Sequence, residues 1–165
     1  ESAALLNSVG IGLTNVIFTL IGINLIDRLG RRILMYIGSI GYIISLTLIS
    51  LSFVLNWESI FLPIFLFVFI ASHAIGQGAI IWVYISEIYP NHLRSYGQSF
   101  GTSTHWVLAA IIPSLVPFLF GIIGPGVVFG IFAFMMILQL LFVHFIMPET
   151  KGISLEVLSK KLIRR

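Results

Sequence analysis

The chain contains no cysteine. That excludes disulfide bridges, thiolate nucleophiles and cysteine-ligated metals. Charge is scarce: Asp, Glu, Lys and Arg make up 9% of 165 residues, against about 25% in a soluble domain. So few polar side chains could not clothe a water-exposed core, which sets aside a soluble all-helical protein. Catalytic signatures are missing too: there is no Gly-x-Ser-x-Gly elbow, no His-Glu-x-x-His, no P-loop and no Gly-x-Gly-x-x-Gly after a strand. His73, His92, His105 and His144 lie far apart, without Cys or paired carboxylates beside them. The sequence therefore offers no metal site and calls for no cofactor. What is present is apolar. Hydrophobic residues make up 58% of the chain, and its mean hydropathy is +1.09. Lipid is the expected solvent.

A helix needs about 20 residues to cross roughly 30 Å of hydrocarbon. Five stretches meet that length, at about 5–26, 33–55, 60–85, 97–119 and 127–147, and predict an all-α, polytopic membrane helix bundle over residues 1–148. The tail, 149–165, is partly amphipathic through Ile153, Leu155, Leu158 and Leu162. Glu1 opens directly into an apolar helix, with no initiator Met and no basic leader. The first stretch is therefore not expected to be a signal peptide, and the chain is expected to be part of a longer protein.

All nine Lys and Arg residues fall on one side of this five-span reading. Arg28, Arg31 and Arg32 follow the first span, Arg94 follows the third, and Lys151, Lys160, Lys161, Arg164 and Arg165 follow the fifth. The opposite connections, Asn56 to Ser59 and Gly121 to Gly126, hold none. The positive-inside rule then predicts a cell-membrane protein with a cytoplasmic tail and an external N-terminus. The positive charges flank spans and form no stripe, so anionic lipid headgroups are the expected partner and nucleic acid is not.

Polar residues inside spans must face protein, water or a ligand, because an unpaired polar group in hydrocarbon is costly. Asn15, Gln77, His105 and Trp106 lie within spans, and Trp82 sits one helical turn past Gly78. Amides both donate and accept, which suits hydroxyl groups, and an indole covers the apolar face of a sugar ring. The same residues also suit interhelical contacts. Gly76 and Gly78 flank Gln77 and suggest a bent, cavity-lining segment, while Pro113 and Pro117 are expected to interrupt the outer half of the fourth span. Asp27, Arg28, Arg31, Arg32, Glu87 and Arg94 gather at the inner ends of the spans and form a candidate ion network able to latch one conformation; their plainer role is topogenic. No carboxylate lies deep in a span.

Three segments carry a resemblance. Asp27-Arg28-Leu29-Gly30-Arg31-Arg32, Ser86-Glu87-Ile88-Tyr89-Pro90 through Arg94, and Pro148-Glu149-Thr150-Lys151-Gly152, at this spacing, resemble the second half of a sugar porter of the major facilitator superfamily, from helix eight to the end. The resemblance implies part of a twelve-helix facilitator whose halves rock about a central monosaccharide site, as uniporters or as proton symporters. It implies partners outside this chain, namely helix seven and the N-terminal half, together with a hexose or pentose and, in symporters, a coupled proton. Carried over by position, Asn15, Trp82 and Trp106 match family residues that approach the sugar, and Gly76 and Gly78 match glycines at the helix-ten break. This chain departs in having Gly76-Gln77-Gly78-Ala79-Ile80-Ile81 where the family often has prolines, His105 where Asn or Gln precedes the tryptophan, and Ala109 where glucose carriers have asparagine. An intramembrane enzyme or a non-transporting scaffold is the alternative reading. An enzyme requires convergent His, Asp, Glu or Ser side chains, and a scaffold requires every polar residue to be consumed by helix contacts.

Overall fold

The computed structural model describes residues 2–57, 61–153 and 157. Glu58 and Ser59, in one expected external connection, and Leu155, Leu158 and Leu162 of the expected amphipathic tail lie outside the described residues. Every regular element among those described is a helix: α1 Ser2–Leu29, α2 Arg31–Val54, α3 Phe61–Ile75, α4 Gln77–Glu87, α5 Arg94–Ile123 and α6 Pro125–Phe145. Taken with the break inside 61–87, these make five helices long and apolar enough to cross a membrane.

Glycines set where the helices end. α1 and α2 are separated by Gly30 alone, at φ 92° and ψ 164°, a conformation that L side chains rarely adopt. The six-residue turn expected from the sequence is therefore one residue long, because the helices continue through the charged residues on both sides. Gly124, at φ 81°, joins α5 to α6 in the same way, replacing the longer turn expected at 121–126. Apolar residues Phe120, Ile122 and Ile123 let α5 run on past the expected end.

The prolines need a correction. α5 is continuous from Arg94 to Ile123 with Pro113 and Pro117 inside it, so they do not interrupt the span. A proline removes one N–H and crowds the preceding turn, which bends a helix without always ending it. Gly76 is where a span divides: it separates α3 from α4 at φ −93° and ψ −106°.

α2 is the hub, packing chiefly on α6 and α3 and also on α4, while α1 lies on α3 more than on α2. Two apolar clusters fill these contacts. Ile26, Leu34 and Ile80 join α1, α2 and α4 near the Gly30 link. Tyr42, Leu46 and Ala133 join α2 to α6, with Phe69 of α3 packed alongside. Small residues let the backbones approach, as membrane helix packing favours: a Cβ on Gly76 would stand 2.7 Å from the Gly38 Cα. α5 is the opposite case, a 30-residue helix with no buried residue, touching chiefly α6 and α4.

Candidate functional site

Two groups of polar and aromatic residues stand out, one within the spans and one at the ends where α1 meets α2 and α4 closes. The first is built by α4 and α5. Trp82 projects from α4, two residues beyond the buried Ile80, and His105 and Trp106 project from α5. The Trp82 and His105 rings meet edge to face at 5.0 Å, His105 and Trp106 at 5.4 Å, and the two indoles lie 6.4 Å apart at 30°. Trp82 is 39% exposed and Trp106 62%, so both indoles keep an open surface within an apolar pair of helices. Such a cluster presents flat apolar faces beside N–H and imidazole groups, the chemistry that covers a sugar ring and bonds its hydroxyls.

The other expected contacts divide. Asn15 is exposed on α1, where its Oδ1 accepts from the Thr19 hydroxyl at 3.1 Å. α4 touches both α1 and α5, so Asn15 stands on a neighbouring helix. Gln77 is half-buried and partly committed to a helix contact. Its Nε2 donates to Ser39 Oγ of α2 at 3.1 Å, and its Oε1 is buried with no donor. The amide is taken up between α2 and α4 because Gly38 leaves room for it: a Cβ there would collide with Gln77 Oε1. Gly78 serves His73 similarly, since a Cβ on Gly78 would stand 2.9 Å from His73 Nε2. His73 shares a 2.5 Å hydrogen bond with the Tyr42 hydroxyl through Nδ1. Among the described residues no three His, Asp or Glu side chains converge as metal ligands would.

The second group centres on Arg31, whose side chain is 11% exposed. Its guanidinium grips Glu87 of α4 with two bonds, Nε to Oε2 at 3.1 Å and Nη2 to Oε1 at 2.7 Å. Nη1 donates to the Ile26 carbonyl at 3.2 Å and to Asp27 at 3.1 Å. Asp27 is 82% exposed, so its bond adds little, whereas the partly desolvated, two-pronged Glu87 pair is the stronger link.

Two residues outside the expected ion network complete the group. Glu149 sits at the start of α2, taking the Arg31 N–H on Oε1 and the Arg32 N–H on Oε2, each at 3.0 Å. The first N–H groups of a helix have no partner within it, and a carboxylate there also meets the positive end of the helix dipole. Thr150 donates its hydroxyl to Glu87 Oε2 at 2.6 Å. Burial pushes the Glu149 carboxyl upward. The backbone N–H groups of Lys151, Arg32, Arg31 and Thr150 outweigh that and hold it below its ordinary value. The sequence signal for Glu149 is an acid just past the last span, in a segment that otherwise serves only as a family marker.

Three expected members of the network have other occupations. Arg32 bonds the Val143 carbonyl at 3.1 Å and the His144 carbonyl, which ties α2 to the end of α6. Arg94 donates to Asn91 Oδ1 at 2.5 Å, and its Nε is buried without a partner. Arg28 contributes its backbone carbonyl, which accepts from Lys151 Nζ at 2.5 Å. The network is therefore Asp27, Arg31, Glu87, Glu149 and Thr150, and it joins α1, α2 and α4 to the segment after α6.

Five apolar spans with a divided third helix are the architecture of a polytopic membrane protein, and solved transporters of the major facilitator superfamily share it. The inward-open xylose transporter XylE from E. coli superposes with a TM-score of 0.87 at 27% identity, covering 98% of this chain and 36% of that one. The family described as Sugar (and other) transporter matches residues 1–162, and the chain belongs to it. It is 38% identical to the arabinose-proton symporter of Bacillus subtilis (strain 168), over 99% of this chain and 36% of the relative. It is 36% identical to the facilitated trehalose transporter Tret1 of Bombyx mori, over 95% of this chain and 32% of the relative. The chain thus spans about a third of the length of these relatives.

Proposed function

We propose that this chain works within a membrane carrier that moves a sugar by alternating access, with helix seven and the N-terminal half of the family fold supplying the facing wall. The observation that carries the reading is the open Trp82–His105–Trp106 cluster within a membrane bundle. Trp82 and Trp106 cover the ring, His105 bonds a hydroxyl, and Asn15 contributes from α1. The Arg31–Glu87 pair, with Asp27, Glu149 and Thr150, holds the inner ends together in one state and parts in another. The carrier sits in the cell membrane with the 149–165 segment in the cytoplasm, as the distribution of Lys and Arg favours.

The arabinose-proton symporter among the relatives supports coupling to a proton, and the facilitated trehalose transporter supports uncoupled movement. No covalent chemistry is implied, and membership of a transporter family weighs against the enzyme and scaffold readings. The test is uptake by the full-length protein against a panel of pentoses, hexoses and disaccharides, with and without a proton gradient. Saturable uptake of one or a few sugars is expected, with Trp82→Ala raising the KM more than about tenfold through loss of ring contact. Unchanged binding and uptake of every sugar in Trp82→Ala would remove the site, and no uptake of any sugar would remove the function.

A further inference from the structure

Gly76 divides the third span, and the residues around it are unusually well tied. Within one turn of α2, Gly38, Ser39, Gly41 and Tyr42 make four separate approaches to the break. Gly38 and Gly76 meet backbone to backbone: a Cβ on Gly38 would stand 2.9 Å from the Gly76 Cα. A Cβ on Gly41 would collide with the Ser72 hydroxyl. Tyr42 bonds His73, three residues before the break, at 2.5 Å. Ser39 bonds Gln77, directly after it, at 3.1 Å. Ser39 and Tyr42 are three residues apart and so share a helix face. Both are inside the bundle, Ser39 fully and Tyr42 at 8% exposure, with the Tyr42 ring also packed on Phe69 at 4.9 Å.

We propose that Tyr42 and Ser39 are positioning residues: one holds the end of α3, the other the start of α4, and together they set the angle at Gly76 at which Trp82 is presented to His105 and Trp106. This rests on the sugar-carrier reading for its transport consequence but not for its geometry. A divided helix has lost the continuous backbone bonding that makes a span rigid. Something else must fix the two pieces. Glycine packing alone lets them slide, whereas a directional bond on each side of the break defines both distance and rotation. Ser39 and Tyr42 are buried and His73 and Gln77 half-buried, so losing one bond leaves a partly desolvated partner unpaired. Trp82 lies five residues beyond Gln77, so a small rotation of α4 swings its indole across the site.

The experiment uses the full-length protein with Tyr42→Phe, Ser39→Ala and the double variant. Tyr42→Phe keeps the ring and its packing on Phe69 and removes only the hydroxyl. Each single variant is expected to raise the KM for the best sugar about tenfold while kcat changes much less, and the double variant to raise it further. His73→Asn, which keeps a hydrogen-bonding partner for Tyr42, should recover most of what His73→Ala loses. A second readout needs no sugar. Spin labels at Ile64→Cys on α3 and Leu93→Cys beyond α4 report the angle across the break, and their distance distribution should broaden or shift in Tyr42→Phe and Ser39→Ala. A distance distribution identical to the parent's, or a KM within about twofold of it when the parent transports, overturns the positioning role. If the parent moves no sugar, the carrier reading fails, and the label distances alone decide whether the two bonds set the angle.

Discussion

The buried Arg31–Glu87 pair and the exposed Asp27 carry different weight although all three are formally charged. Arg31→Ala would strand Glu87, whose side chain is 21% exposed, at a cost of about 3 kcal/mol, while Asp27→Ala should cost under about 1 kcal/mol. Thermal unfolding of the full-length protein in detergent would separate them, and equal losses would contradict the ranking. Glu149 gives a pH signature. Its folded pKa is depressed below the ordinary 4.5, so its contribution is complete above the unfolded value and is lost as the pH falls through the lowered one. The unfolding midpoint should therefore drop on acidification more in the parent than in Glu149→Gln, which cannot titrate there. Residue types were legible where chemistry is unusual for a membrane span: the indoles and His105 come together as their positions suggest. Gln77 was less so, because an amide between two glycines fits a sugar or a neighbouring hydroxyl equally well, and only the structure shows its Nε2 on Ser39 of α2. Glu149 was illegible for a related reason, since its partners are backbone groups more than a hundred positions earlier in the chain.

At the scale of elements, the sequence shows spans better than it shows their ends. Apolar length locates all five, because hydrocarbon thickness imposes it. It says little about connections: helices ran on through Asp27-Arg28-Leu29 and past Gly121, stopping only where Gly30 and Gly124 adopt positive φ. Pro113 and Pro117 look like stronger punctuation than Gly76, yet the prolines lie within α5 and the glycine divides the third span. The difference is packing: Gly76 is pressed against the α2 backbone, while nothing in α5 is buried. Gly76→Ala should therefore destabilise the bundle by about 2 kcal/mol or force α2 and α4 apart. Gly30→Ala should cost a similar amount, since it adds strain at φ 92° and places a Cβ 2.6 Å from Glu149 Oε2. Melting curves for the two variants, beside Gly12→Ala where nothing lies within 4 Å of the added carbon, would test this. Comparable melting of all three would refute the packing argument.

For the whole molecule, the uneven burial is the telling property. α2 is surrounded by α3, α4 and α6, whereas α5 has no buried residue and α1 few. A bundle of this kind has a finished side and an unfinished one, as expected for a chain spanning a third of its relatives' length. Orientation is testable on intact cells. A maleimide that cannot cross the membrane should label Asn56→Cys from outside and His92→Cys only after permeabilisation. The reverse pattern would invert the topology.

The carboxylate at the head of α2 also has a bearing on biogenesis. Ribosomes deliver Arg31 long before Glu149, with 118 positions between them. Throughout that interval the opening amides of the hub helix lack the acceptor they hold in the finished fold. Translocation machinery, headgroups or water must occupy them meanwhile, and a nascent chain arrested after α6 would leave the ribosome with this seam still undone.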